Sequence, residues 1–214
     1  MIISSGRKYI FVHIPKTGGT SVALALEDRA MKDDIMLGDT PKALKRRRKL
    51  RDVQSRGRLW KHSTLADIEG VIPQDSFADY FCFALVRNPW DRAVSYYHWL
   101  KDQSFEHPAV MLAKTLDFEP FILHPVILAS FRTSPAAHYL TDSSGTCQAS
   151  LFVRLEHLRT DIAALERHLG FELDIPHTNQ SERRRDWRGY FSESSRKGIA
   201  EACGEDIERF GYRF

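Results

Sequence analysis

The stretch Tyr9–Ala25, which reads YIFVHIPKTGGTSVALA, constrains the fold of this chain most. Residues Tyr9 to Ile14 form a β-branched and aromatic run of strand length. Pro15 ends that strand, because proline cannot donate to a sheet ladder. The two glycines that follow allow backbone conformations that other residues avoid, and they leave room for a ligand near the main chain. The stretch therefore predicts a strand, a glycine loop and a helix that Thr20 or Ser21 caps.

This loop has the composition of an anion-binding site. A helix start presents unpaired N–H groups and partial positive charge, and Lys16 adds a full charge beside them. The lysine precedes Gly18 and Gly19, so the loop differs from the GxxxxGK[ST] loop of nucleotide triphosphatases. We expect it to bind a phosphate group. The alternative is an ordinary strand-to-helix turn in which the lysine is only solvated.

A second strand and helix follow in the middle of the chain. The run Asp79–Val86 is almost continuously apolar, as expected for a strand buried on both faces. Arg87 follows at its carboxyl end, which is where ligands of open α/β sheets bind. Asn88 and Pro89 are the residues that favour the cap and the first position of a helix. The arginine is therefore a candidate ligand-binding residue, and an ion pair with Asp91 is the structural alternative.

Both segments resemble motifs of one enzyme family. HIPKTGGTS resembles the 5′-phosphosulfate loop of sulfotransferases that use 3′-phosphoadenosine 5′-phosphosulfate (PAPS), most of all the branch containing carbohydrate 2-O-sulfotransferases. LVRNPWDRAVSYY resembles their 3′-phosphate-binding segment, in which an arginine and a serine eight residues later hold the phosphate; Arg87 and Ser95 have that spacing. The resemblance spans nearly the whole chain, is strongest at residues 10–22 and 80–97, and is weak at 28–58 and 103–147.

The resemblance implies a P-loop-like α/β fold, with a central parallel sheet flanked by helices, as a single domain over residues 1–214. It implies in-line transfer of a sulfuryl group from PAPS to an acceptor hydroxyl, without a metal and with adenosine 3′,5′-bisphosphate as the product. Lys16 would stabilise the charge that develops on the bridging oxygen, as one of two catalytic residues. The implied cofactor-binding residues are Lys16, Thr17, Gly18, Gly19, Thr20, Ser21, Arg87 and Ser95.

His62 is the second catalytic residue that the resemblance implies. Thr64, followed by Asp67, predicts the cap of a short helix, so His62 is placed on the loop just before it. Nothing else in the sequence distinguishes it from the other eight histidines. The related enzymes carry a histidine between the phosphosulfate loop and the next strand, where it acts as the base, and KHSTLADI resembles that segment. A structural or solvent-facing histidine is the alternative.

The segment Lys42–Lys61 carries ten basic residues and one acid, Asp52. The rest of the chain has 21 basic and 27 acidic residues, so the net charge of +3 does not imply binding to nucleic acid. Pro41 favours the first position of a helix here. We interpret residues 40–61 either as a solvated basic helix or as a basic insertion, mobile until bound, for an anionic acceptor such as a glycan.

The cysteines and the apolar runs bear on location. Three widely spaced cysteines, Cys82, Cys147 and Cys203, are typical of reduced thiols. No signal peptide is visible, and no apolar run approaches the ~20 residues of a spanning helix. The sequence predicts a cytoplasmic enzyme with no membrane span.

The second half of the chain predicts a helix from about Leu158 to Leu169, with Gly170 as its stop, and an amphipathic helix from Ser192 to Phe210. Several alternatives stay open there. Glu156, after a predicted strand at Ala149–Leu155, either orients a basic group or pairs with a neighbouring arginine. The arginines Arg183–Arg185 face the nucleotide, face the acceptor, or lie on a solvated turn. Two rival functions also remain. One is a small-molecule kinase that needs ATP and magnesium, and the other is a non-catalytic module that binds polyanions through Lys42–Lys61.

Overall fold

The computed structural model describes residues 1–176 and 186–214. They form two compact units. Unit 1 holds the described residues of Met1–Val86 and Ala136–Thr178, and unit 2 holds those of Arg87–Pro135 and Asn179–Phe214. The candidates Arg183, Arg184 and Arg185 lie outside the described residues.

All described strands belong to one sheet in unit 1. The strands are β1 (Ile2–Ser4), β2 (Tyr9–Val12), β3 (Ile35–Met36), β4 (Phe81–Val86) and β5 (Leu151–Arg154). Their order across the sheet is β3-β1-β2-β4-β5. β2, β4 and β5 pair in parallel, as the sequence predicts. β1 pairs antiparallel with both β2 and β3, so the sheet is mixed at one edge, a feature that the sequence analysis missed.

The helices of the described residues are short. In chain order they are α1 (Gly19–Asp28), α2 (Pro41–Arg46), α3 (Pro89–Lys101), α4 (Pro108–Thr115), α5 (Phe118–Ile122), α6 (Pro125–Arg132), α7 (Ala136–Tyr139), α8 (Leu158–Asp161), α9 (Ala163–Leu169), α10 (Glu193–Ala202) and α11 (Gly204–Phe210). Short 3₁₀ helices lie at Arg47–Leu50, Gln74–Asp79, Leu155–His157 and Arg188–Tyr190. Four helices carry proline at the first position, where its missing N–H costs nothing.

The core of unit 1 lies where helices cover the sheet. Val22 and Leu26 of α1 pack in one buried cluster with Phe11 of β2 and Phe83 of β4. Leu165 of α9 joins the same cluster. Burial of these side chains is the main stabilising contribution, at roughly 1.5–3 kcal/mol each. The cluster fixes β2 and α1, and with them the loop that joins the two.

Unit 2 is helical and has a separate core. Trp90, Val94 and Tyr97 of α3 face inward, as their spacing predicts, and they pack with Phe121 of α5 and Ile199 of α10. The predicted cap of α3 is confirmed, because the side chain of Asn88 accepts a hydrogen bond from the N–H of Trp90. None of the helices in the described part of the chain combines the length and apolarity that a membrane span requires.

Two predicted helices are each divided in the structure. The predicted helix from Leu158 to Leu169 is α8 followed by α9, and its predicted stop at Gly170 is confirmed by a left-handed φ of 76°. The predicted helix from Ser192 to Phe210 is α10 followed by α11, with a break at Cys203.

Candidate functional site

The loop between β2 and α1 contains two residues with left-handed backbone. Lys16 has a φ of 66° and Gly18 a φ of 84°. A non-glycine residue at positive φ is uncommon, costs free energy, and is found most often at functional sites. Thr17 is buried between them and donates its hydroxyl to the carbonyl oxygen of Ile14 at 2.9 Å. Local contacts therefore hold the loop in the conformation that places Lys16.

Helix α1 begins at Gly19, with Gly18 as its N-cap. The predicted cap by Thr20 or Ser21 is wrong, because both residues lie inside the first turn and no side chain among the described residues caps the helix. The N–H groups of a first helical turn have no partner four residues earlier, and they carry the positive end of the helix dipole. They therefore remain suited to receive the oxygens of an anion.

Close contacts explain why both loop positions are glycine. A Cβ atom on Gly18 would lie 2.8 Å from Cδ1 of Leu155, and Gly18 is also left-handed. A Cβ atom on Gly19 would lie 2.4 Å from Cδ2 of His13. Neither distance is tolerated in a packed protein. The histidine ring and the leucine side chain thus lie directly against the loop backbone and support it.

The predicted base His62 contacts the same histidine. Its Nδ1 atom lies 2.6 Å from the carbonyl oxygen of His13. A carbonyl oxygen only accepts, so Nδ1 carries the proton and Nε2 of the neutral ring keeps its lone pair. Burial lowers the pKa of His62 to about 4, and the positive charge of Lys61 acts in the same direction. His62 is therefore neutral at pH 7 and has the tautomer that a general base needs.

His13 is a site residue that sequence reasoning missed. Its side chain is buried, its ring stacks on Phe11 with centroids 5.7 Å apart, and it lies edge-on to His62 at 5.0 Å. Burial lowers its pKa well below the ordinary value for histidine. The available signal was a histidine inside an otherwise apolar strand run. His13 is the residue through which unit 1 brings the glycine loop and His62 together.

The backbone around His62 forms a turn, and the helix predicted after it is absent. The Thr64 N–H donates to Oδ2 of Asp67 at 2.8 Å, and the Asp67 N–H donates to the Thr64 hydroxyl oxygen at 3.2 Å. These are the bonds of a capping box. Here they close a turn that does not continue into a helix.

Arg87 and Ser95 belong to unit 2. The Arg87 guanidinium donates from Nε and Nη2 to Asp91 at 2.8 and 2.7 Å, so the ion pair that was the structural alternative is confirmed. Asp91 and Ser95 are four residues apart on α3 and therefore lie on one face of that helix. Both side chains of the ion pair are at most 15% exposed.

The other predicted residues have local roles in the structure. Glu156 lies in the 3₁₀ helix directly after β5, where Asp161 binds the neighbouring Arg154 at 2.8 and 3.0 Å. In the basic segment, Lys42 donates to the carbonyl oxygen of Glu27, and Arg46 donates to that of Met31 at 2.7 Å. Helix α2 begins at Pro41 as predicted.

The glycine loop and the neutral histidine beside it form an arrangement that is compatible with transfer of a group from an anionic donor. The family model Sulfotransfer_2, described as the sulfotransferase family, matches residues 1–213. The chain belongs to this family and is a sulfotransferase.

Solved structures include proteins of similar fold. The chain is similar to the crystal structure of mouse sulfotransferase SULT7A1 complexed with PAP, at 18% identity and a TM-score of 0.47. This likeness covers 96% of the present chain and 85% of the mouse chain. No curated protein matches the sequence.

Proposed function

We propose that this sulfotransferase moves the sulfuryl group of PAPS to an acceptor hydroxyl. The N–H groups around Thr17 to Thr20 hold the 5′-phosphate, with the hydroxyls of Thr20 and Ser21 assisting. The left-handed loop, the uncapped start of α1 and the two glycines that leave no room for a Cβ atom support this role. PAPS as the donor is supported by membership of the sulfotransferase family and by the resemblance of both motifs to those of PAPS-dependent sulfotransferases.

The 3′-phosphate is assigned to Arg87 and Ser95. A guanidinium forms strong, charge-assisted hydrogen bonds to phosphate, and it is pre-oriented here by Asp91. Ser95 is 8% exposed and is placed on the same helix face as Asp91, so its hydroxyl adds a neutral hydrogen bond. The ion pair and the phosphate contact are compatible, because a guanidinium has five N–H donors.

PAPS supplies an activated sulfuryl group, and its bridging oxygen leaves with the electron pair of the broken S–O bond as part of adenosine 3′,5′-bisphosphate. Nε2 of His62 takes the proton of the acceptor hydroxyl while the acceptor oxygen bonds to sulfur. The Lys16 ammonium stabilises the charge on the bridging oxygen. Positioning and electrostatic stabilisation supply most of the acceleration, as in phosphoryl transfer.

One observation carries the proposal, which is that His13 contacts both the phosphate loop and the base. Its ring lies where a side chain of Gly19 would be, and its carbonyl oxygen fixes the ring of His62. A solvent-facing histidine would have neither a fixed tautomer nor a pKa lowered to about 4. The fixed tautomer supports the role of base over that of a solvent-facing histidine.

Ligand-induced stabilisation against heat tests the donor site directly. We expect adenosine 3′,5′-bisphosphate to raise the melting temperature in EDTA, and to raise it more than ATP does. Equal shifts with 5′-AMP and with the bisphosphate would remove the 3′-phosphate assignment. A shift with ATP that requires magnesium would favour a kinase. Binding that is steeply salt-dependent and survives loss of Lys16 and His62 would favour a polyanion-binding module.

The acceptor and the location complete the proposal. We take the acceptor to be a carbohydrate or a small hydroxyl-bearing metabolite, and the resemblance of the glycine loop to that of carbohydrate 2-O-sulfotransferases supports the former. We place the enzyme in the cytoplasm, which is supported by the free thiols of Cys82, Cys147 and Cys203. Screening sugars and other hydroxyl compounds with PAPS checks the first point, and fractionation of cells checks the second.

A further inference from the structure

We propose that Trp60 and Arg58 form the acceptor subsite of this enzyme. Together they select an acceptor in which a ring with an apolar face carries a nearby carboxylate or sulfate. The inference rests on the proposed function, because it takes His62 to be the base. Each of the three residues lies in the described part of unit 1.

Trp60 is the exposed aromatic side chain beside the base. It is 44% exposed, and its indole lies edge-on to the His62 imidazole with ring centroids 5.0 Å apart. Leaving so large an apolar ring in water forgoes the free energy of burying it. A ring that packs against the exposed part of this indole would recover that free energy and would place its own hydroxyl next to His62.

The turn that carries Trp60 is held in one conformation. Ser63 is completely buried, and its hydroxyl donates to the carbonyl oxygens of Arg58 at 2.8 Å and Trp60 at 3.0 Å. The same oxygen accepts the Trp60 N–H at 2.9 Å. Lys61 is fixed beside the turn by Asp39 at 2.9 Å. An exposed ring on a fixed turn is pre-organised for a ligand, which reduces the entropy cost of binding.

Arg58 adds a positive charge to the same surface. Its guanidinium lies 5.4 Å from the centroid of the Trp60 ring, and among the described residues no acid is within ion-pair distance of it. Two other basic side chains of the segment Lys42–Lys61, those of Lys42 and Arg46, bind carbonyl oxygens. A guanidinium stacked on an indole keeps its N–H groups in its own plane, where a carboxylate or sulfate forms hydrogen bonds with it.

The two side chains therefore recognise two different properties of one ligand. The indole selects a flat apolar face, which is offered by the C–H face of a sugar ring or by a phenol. Arg58 selects a negative charge close to that ring. His62 requires a hydroxyl on the same ring, because its Nε2 atom is the proton acceptor.

Nitrogen-15 NMR of the tryptophan indole N–H groups tests the subsite without turnover. The chain has four tryptophans, and Trp60→Phe assigns the Trp60 signal. The protein is saturated with adenosine 3′,5′-bisphosphate, then titrated with methyl β-D-glucuronide and 4-hydroxyphenylacetate as anionic probes. Their neutral counterparts are methyl β-D-glucoside and 4-hydroxyphenylacetamide. We expect the Trp60 signal to move with an anionic probe, and the matching neutral probe to bind roughly tenfold more weakly.

Two arginine variants test the contribution of the positive charge to binding. Arg58→Gln should remove the preference for the anionic probe, and Arg56→Gln is the matched control, because Arg56 is exposed and lies 3.7 Å from Glu69. Trp99, which is 38% exposed in unit 2, reports non-specific binding. A response to the glucuronide alone would identify a sugar acceptor, and a response to the phenol alone an aromatic one.

Specific outcomes overturn the inference. A Trp60 signal that is unmoved by all four probes, or that moves no more than the Trp99 signal, removes the subsite. The same holds if Arg58→Gln keeps the full preference for the charged probe. If the bisphosphate itself fails to bind, the proposed function fails and the inference falls with it. If the bisphosphate binds and the Trp60 signal does not move with any probe, the acceptor subsite is refuted and the proposed function is unaffected.

Discussion

The Nδ1 atom of His62 lies 2.6 Å from the carbonyl oxygen of His13, and this one hydrogen bond fixes the tautomer of the candidate base. The same histidine leaves no space for a side chain on Gly19. The position of the candidate base and the shape of the glycine loop therefore depend on one buried residue. Exact placement of this kind is what proximity effects in catalysis require.

Replacement of the base should affect turnover and leave donor binding intact. We expect His62→Ala to lower kcat by roughly 10²–10⁴, because the acceptor proton loses its positioned acceptor. The Kd of adenosine 3′,5′-bisphosphate, measured by calorimetry, should stay close to that of the parent protein. The exposed His138 provides a control, and His138→Ala should leave both quantities unchanged. A folded His62→Ala protein with parental turnover would refute the assignment, and Glu156 would be tested next.

The pH dependence of the rate should reflect the lowered pKa of His62. The ring is protonated only below about pH 4 in the protein without donor, so kcat/KM for PAPS should fall only as the pH drops through that region. The acid limb of kcat should lie at higher pH, because the bound anionic donor favours the imidazolium form. Initial rates from pH 3.5 to 8 check both limbs. A kcat/KM limb near pH 6.5 would mean that the base is not buried.

The parts of the fold that the sequence predicted are those with local determinants. The cap by Asn88 and the stop at Gly170 each follow from the chemistry of one residue and its neighbours, whereas β2 ends at Val12, before the predicted strand end at Ile14 and Pro15. β1 and β3 are three and two residues long, which is too short for a periodic pattern. Their pairing depends on contacts between distant parts of the chain, which a sequence pattern does not contain.

The site was predictable to a similar extent. Lys16 and the two glycines follow from a local motif, and the structure shows why the glycines are needed. The role of His62 came from a resemblance, since its fixed tautomer depends on a residue 49 positions earlier in the chain. His13 was not predicted, because its contacts with the loop and with His62 form only after folding. The predicted helix after His62 failed because capping bonds also stabilise an isolated turn.

Loss of the lysine in the loop should reduce the rate of the chemical step. We expect Lys16→Ala to lower kcat by about 10²–10³, which is typical of removing one positioned electrostatic group. The left-handed φ of 66° at this position supplies a second variant, because Lys16→Gly removes the charge and also relieves the backbone. Both variants should lose a similar factor in single-turnover experiments. An unchanged kcat in Lys16→Gly would show that the charge has no role in leaving-group stabilisation.

The two residues assigned to the 3′-phosphate should differ in their contribution to affinity. Arg87→Ala should weaken binding of adenosine 3′,5′-bisphosphate strongly, because a charge-assisted contact is lost and Asp91 is left without its partner. Ser95→Ala should cost about 0.5–1.5 kcal/mol, the usual value of a neutral hydrogen bond. Neither change should alter the affinity for 5′-AMP. Calorimetry with both nucleotides checks this, and parental binding by Arg87→Ala would exclude this strand end as the nucleotide site.

The stability of the protein should decrease as the pH is lowered through a range that the pKa of His62 sets. In the unfolded chain a histidine binds a proton below about pH 6.5, but in the folded protein His62 does so only below about pH 4. Between these values the unfolded state binds more protons, so the free energy of unfolding rises with pH and is lost as the pH falls. The contribution of His62 between pH 7 and pH 5 is about 2 kcal/mol. His13 adds to the loss in the same direction, because burial also lowers its pKa.

Urea unfolding of the parent and of His62→Gln at the two pH values isolates the contribution of His62. The variant should lose less stability than the parent by about that amount, and equal losses would show that the folded protein accommodates the charged ring.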